Sequence, residues 1–168
     1  LGVRSLCPPY VYKKDFIQEY LLARAVLAGD NPYLPLPELA ARFIGPLPNL
    51  VFPHPTPYPP PVAILSLPLG FVSYETASVL WFLLELSMLG LVCCTLLRSL
   101  GLPSRPAVSA PVFLALMAWG PVRDELVVGQ LMLVLLLLAA LLWRTVRSGA
   151  GYQAGIILGC MLSLKLMG

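Results

Sequence analysis

Charge is scarce in this sequence. Lys, Arg, Asp and Glu make up 11% of its 168 residues, where a soluble domain carries about 25%, so an ordinary water-soluble globule is excluded. Histidine is nearly missing. The single His54 stands between Pro53 and Pro55 with no second ligand at metal spacing, and no metal site is expected. Cysteine is equally uninformative: Cys93, Cys94 and Cys160 lie in apolar runs and Cys7 stands alone, which excludes a disulfide framework or a thiolate zinc site. A net charge of +3, with lysines and arginines scattered rather than striped, excludes a nucleic-acid partner. No phosphate-cradling P-loop, GxGxxG turn or nucleophile elbow occurs.

Apolar residues are abundant instead, at 58%, with a mean hydropathy of +0.83. They concentrate in residues 62–168, whereas residues 1–61 hold 13 of the 18 prolines. The chain opens on Leu1 and stops at Gly168 within an apolar run, and it is expected to be a fragment of a larger membrane protein. Residues 75–97 supply about the 20 apolar positions that a roughly 30 Å hydrocarbon core requires. Residues 126–143 and 150–168 read as further transmembrane helices, and 107–120 as a shorter span, giving about three to four in all. The expected class is an all-α integral membrane protein.

Orientation follows from the short connectors, because cytoplasmic loops are enriched in Lys and Arg. Arg98 and Arg105 mark one basic connector, Arg144 and Arg147 another, while Arg123, Asp124 and Glu125 share the one between them. Strict alternation puts the two basic loops inside and the mixed loop outside. Residues 1–74 then form an extracytoplasmic segment. Within it Asp15 stands at an N-cap position, Gln18 completes a capping-box pattern, and Gly29 ends a helix over 15–28. Phe16, Tyr20, Ala23 and Leu27 recur at helical spacing as one apolar stripe, which predicts an amphipathic surface helix. The Pro-rich segment 32–61 is expected to run stiff and extended. Residues 62–72 are apolar but too few to span, and read as a second interfacial segment.

Several side chains are candidates for chemistry. Asp15 is either an N-cap beside two solvated lysines, Lys13 and Lys14, or a general base within reach of a substrate hydroxyl. Glu19, one turn on, is a solvated helix acid or a second ligand or base. Lys165 sits in an apolar run where a centred lysine costs about 3 kcal/mol, so it either meets an anionic headgroup or snorkels to the interface. Gln130 would lie at similar depth, as ligand or as helix bridge. Glu85 falls near the middle of its span, where a carboxylate is protonated, paired or lining a wet cavity. Arg123 with Asp124 and Glu125 either binds substrate or solvates a turn. Gly151, Gly155 and Gly159 form overlapping GxxxG steps, which signal close helix packing.

DFIQEYLLARAVLAGDNPY (15–33), YPPPVAILSLPLG (58–70), the span bearing Trp81, GQLMLVLLLL (129–138) and AGIILGCMLSLKL (154–166) occur in this order. Together they resemble glycosyltransferase family 87, integral membrane enzymes of the C-type glycosyltransferase superfamily. Met132 stands where the family usually has Asn, and Leu166 where Pro is common. The resemblance implies a C-type helix bundle lacking its first transmembrane helix. It further implies transfer of a hexosyl group, often mannosyl, from a polyprenyl-phosphate sugar to a lipid or glycan hydroxyl on the extracytoplasmic face of the cell membrane. No cofactor is implied, the lipid-linked sugar being a substrate. Asp15 matches the family's catalytic acid in the first outer loop, and Lys165, Gln130, Arg123, Tyr58, Glu19 and His54 are expected around the substrates. A transporter or lipid-binding scaffold, with Glu85 and Lys165 as pathway residues, is the rival reading.

Overall fold

Proline and glycine set the ends of most elements. The computed structural model describes residues 5–45 and 53–165, and its regular elements are all helical. After a 3-10 turn at Tyr10–Lys13 come α1 (Phe16–Ala28), α2 (Leu36–Phe43) and α3 (Pro60–Ser66), the last running into a 3-10 turn at Leu67–Phe71. There follow α4 (Tyr74–Ser99), α5 (Pro106–Ala118), α6 (Gly120–Val128), α7 (Met132–Arg147) and α8 (Gly151–Lys165). Pro occupies the first or second position of α2, α3 and α5, where its missing N–H has no intrahelical partner to lose. Gly29 (φ 73°) ends α1 in the left-handed conformation, which only glycine adopts at no steric cost.

The chain divides into two units. One comprises Leu1–Phe82, Val127–Gly129 and Leu164–Gly168; the other comprises Leu83–Leu126 and Gln130–Ser163. In the first unit α1 is the core, packed by α2, α3 and the Leu67–Phe71 turn. Phe16, Leu21 and Leu22 are fully buried, each contributing about 1.5–3 kcal/mol relative to exposure. The Tyr20 hydroxyl donates to the Val72 carbonyl at 2.9 Å and Arg24 donates to the Gly70 carbonyl at 3.0 Å, tying the 3-10 turn to α1. The aromatic rings of Phe16, Tyr12, Tyr20 and Tyr74 stack or meet edge to face at 5.2–6.1 Å.

This architecture corrects two expectations. The helix over 15–28 does not use a single apolar stripe: every residue from Phe16 to Ala23 is buried, including Gln18 and Glu19, while Leu27 of the stripe is exposed. α2, α3 and the Leu67–Phe71 turn pack against it, and its first two turns are enclosed on every face while its last turn is open. The Pro-rich segment 32–61 is not extended throughout, because Pro37 enters α2 in its first turn. Only around Pro55, bridged to Pro35, does the chain run extended; residues 46–52 of this segment lie outside the described residues. The apolar stretch 62–72 becomes α3 plus its 3-10 turn, with Val62, Ala63, Ser66 and Gly70 buried.

The helix α4 begins in the first unit and continues from Leu83 in the second; among the described residues it is the one helix long and apolar enough to cross a membrane. The apolar run 126–143 is not one helix. It breaks at Gly129 (φ 76°), and the charged connector before it, with Arg123, Asp124 and Glu125, is helical within α6. Glu125 Oε1 accepts the N–H of Met132 at 3.0 Å, capping α7. Arg147 donates to the Ser99 carbonyl at 3.3 Å, linking the ends of α7 and α4. None of α5's residues is buried, and Leu83, Leu91, Leu114, Leu136, Ile156 and Leu162 face outward. The GxxxG glycines Gly151, Gly155 and Gly159 meet nothing within 4 Å; the close packing expected of them is not made by the described residues, and their helix face is open.

Candidate active site

Asp15 occupies the N-cap position of α1, half-buried, between a fully enclosed Lys14 and a fully enclosed Phe16. Its side chain makes no cap hydrogen bond to the helix. The backbone is held instead: Asp15 N–H donates to the Val128 carbonyl at 2.9 Å, and its own carbonyl accepts from Gln18 N–H at 2.9 Å. The expected capping box is therefore replaced by a tertiary contact. The Val127–Gly129 segment turns back against the start of α1 in the same unit.

Glycine at 129 is required by that approach. A Cβ there would lie 3.2 Å from Lys14 Cε, 3.2 Å from Phe16 Cβ and 3.5 Å from Trp81 Cδ1, and φ is +76°. The Gly129 carbonyl accepts a buried hydrogen bond from Trp81 Nε1 at 3.0 Å. Trp81 in turn stacks on Phe16 with ring centroids 5.2 Å apart and an interplanar angle of 16°. Asp15, Gly129 and Trp81 thus form one continuous assembly.

Ionisable groups are concentrated around it. Lys14 is 1% exposed, with its ammonium 5.8 Å from the centre of the Phe82 ring, and Glu19 is fully buried. Neither is the solvated surface group expected from sequence: Lys14 packs beside Phe82 and Gly129, and Glu19 lies in the enclosed first turns of α1. Burying ionisable groups is costly, which is why such groups gather at sites where their charge is used. Tyr12 donates to Glu75 at 2.5 Å, and this bond, then burial, then the carboxylate's charge hold its phenol above the ordinary value of 10.0. Burial first, against the lowering effect of Arg24, also raises Tyr20.

The remaining expected residues disperse. Tyr58 is half-buried just before α3, its N–H donating to Thr56 Oγ1 at 3.4 Å. His54 is exposed, with Nδ1 2.9 Å from the Pro55 carbonyl, and its own carbonyl accepts from Leu36 N–H at 3.3 Å. Lys165 is exposed in the last described turn of α8 and belongs to the first unit. Gln130 and Arg123 belong to the second. Gln130 lies in the turn before α7, not inside a helix, and lines a cavity of about 610 Å³ with Pro121, Glu125, Met132, Leu136 and Met161. Arg123 makes an exposed 3.5 Å pair with Asp124, a contact of little energetic weight in water. Glu85 is fully buried in α4.

Sequence reasoning missed Lys14 as a buried group and Trp81 with Gly129 as the support of Asp15. The available signal was a lone Gly-Gln step interrupting an apolar run. The sequence model of glycosyltransferase family 87 matches residues 56–168. No curated protein and no solved structure matches the chain. The matched stretch carries Trp81, Gly129, Gln130 and Lys165 and leaves Asp15, Glu19 and His54 before its start. With well over half of its length matched, the chain belongs to glycosyltransferase family 87, whose membrane-associated members move a sugar from a donor to an acceptor.

Proposed function

We propose that this protein transfers a hexosyl group, mannosyl in the first instance, from a polyprenyl-phosphate sugar to a lipid or glycan hydroxyl on the extracytoplasmic face of the cell membrane. Asp15 is the general base. It takes the proton of the acceptor hydroxyl as that oxygen forms its bond to the anomeric carbon. The bond from the anomeric carbon to the phosphate oxygen breaks in the same displacement, and the polyprenyl phosphate leaves with the electron pair. Lys165, exposed and in the same unit as Asp15, is assigned to the departing phosphate through a charge-assisted hydrogen bond.

The observation that carries this reading is the state of Asp15: a half-buried acidic residue on a backbone fixed by a tertiary hydrogen bond. Fixed geometry is what a base requires, because misplacement of reacting groups by about 1 Å costs on the order of a hundredfold. The membrane setting rests on α4 together with the outward apolar side chains of α5, α7 and α8, and on basic connectors that favour the cytoplasmic side. A multi-pass bundle with three to four spans in this stretch is the corresponding topology.

Asp15→Asn in the complete enzyme is the direct test. Transfer of radiolabelled sugar from a polyprenyl-phosphate donor is expected to fall by about two to four orders of magnitude. Near-normal transfer sinks the assignment.

A further inference from the structure

We propose that Trp81 is a positioning residue for Asp15, acting through the Val127–Gly129 turn. The proposal rests on Asp15 being the base. Three observations meet here. The indole N–H donates to the Gly129 carbonyl at 3.0 Å in a buried contact, and the neighbouring Val128 carbonyl accepts the Asp15 backbone N–H at 2.9 Å. The indole ring also stacks on Phe16, the residue after Asp15, at 5.2 Å. Trp81 therefore grips the Asp15 backbone from both sides, once through the turn and once through the helix start.

Each grip has a separate physical basis. The stack is apolar and survives replacement by another flat aromatic ring. The hydrogen bond is directional and needs a donor at the indole nitrogen. Gly129 is the hinge between them: its φ of +76° lets the two consecutive carbonyls of the turn face different donors, and a Cβ there would lie 3.2 Å from Lys14 Cε and Phe16 Cβ. Without the indole donor the Gly129 carbonyl is left unsatisfied in a buried place, and the turn has reason to shift. A shift of the turn moves the acceptor of the Asp15 N–H, and the carboxylate moves with its backbone.

The test is Trp81→Phe in the complete membrane enzyme, paired with an isostere in which 3-benzothienylalanine replaces Trp81, so that sulfur stands where the N–H was and the bicyclic shape is kept. Both are expected to lower kcat per folded molecule by roughly tenfold to a hundredfold, with KM for donor and acceptor changed less than about twofold. Amide exchange of the peptide containing Asp15 is expected to speed up selectively. Unchanged kcat with the isostere overturns the proposal. So does exchange that quickens uniformly across the first unit while kcat per folded molecule stays native, which is the behaviour of a merely structural tryptophan. Asp15→Asn, assayed alongside, separates the two layers. If it is inactive while the isostere is fully active, the positioning role fails and the base stands; if it is nearly as active as the native enzyme, the base fails and the positioning role falls with it.

Discussion

Two glycines share one backbone conformation and differ in what surrounds them. Gly29 (φ 73°) has nothing within 4 Å of a hypothetical Cβ, whereas Gly129 (φ 76°) has Lys14 Cε and Phe16 Cβ at 3.2 Å. Gly29→Ala carries only the left-handed penalty of about 1–2 kcal/mol. Gly129→Ala adds overpacking of about 1–3 kcal/mol, so it is expected to destabilise distinctly more. Equal losses in equilibrium unfolding of the two variants would show that crowding at the Asp15 support is relieved without cost. Tyr12 offers a second residue-scale prediction. Its hydrogen bond to Glu75 raises the folded phenol above its unfolded value of 10.0. The associated stability is fully present below the unfolded value and is lost as pH climbs through the raised folded one. In a tyrosinate absorbance titration, the difference between native protein and Tyr12→Phe should show a phenol titrating above 10.0, and Glu75→Gln should bring it down. A Tyr12 that titrates identically with and without Glu75 would refute the coupling.

Among the elements, boundaries were legible where chemistry is local. Gly29 ends α1 as its position in the sequence predicts, since a left-handed residue needs no tertiary help to stop a helix. Pro37 lies in the segment expected to run extended, yet in the first turn of α2 it opposes no helical hydrogen bond. The break between α6 and α7 was not legible, because an apolar run such as LVVGQLMLV satisfies a helical pattern on either side of its glycine. What holds the break open is Glu125, whose carboxylate caps the Met132 N–H at 3.0 Å. Glu125→Ala is expected to cost about 0.5–2 kcal/mol, as for loss of a helix N-cap, and to speed amide exchange over the first turn of α7 while leaving α8 unchanged. Exchange that is unaltered at Met132 would remove this role.

For the whole molecule, the decisive quantity is how much apolar surface each unit leaves uncovered. The first unit encloses its principal helix from Phe16 to Ala23. The second leaves large side chains of α4, α5, α7 and α8 outward, a pattern that marks contact with lipid or with further protein. If residues 1–74 are extracytoplasmic, the exposed Cys7 will react with a membrane-impermeant thiol reagent added to intact cells, and Cys7→Ser will abolish that labelling. Labelling only after the membrane is permeabilised would reverse the proposed orientation.

The sequence by itself determined the all-helical class, the apolar character of α4, the stop at Gly29 and the family, because composition, periodicity and local caps act over a few residues at a time. Its resemblance also singled out Asp15. Only the tertiary structure decided that Lys14 and Glu19 are buried rather than solvated, and that a glycine break far along the chain supplies the acceptor for the Asp15 amide. It alone also decided that Trp81 closes the turn. Those outcomes depend on which segments, distant in sequence, come to share a neighbour. The scarcity of charge told where water is excluded in general, but enclosure of particular charges is a property of packing.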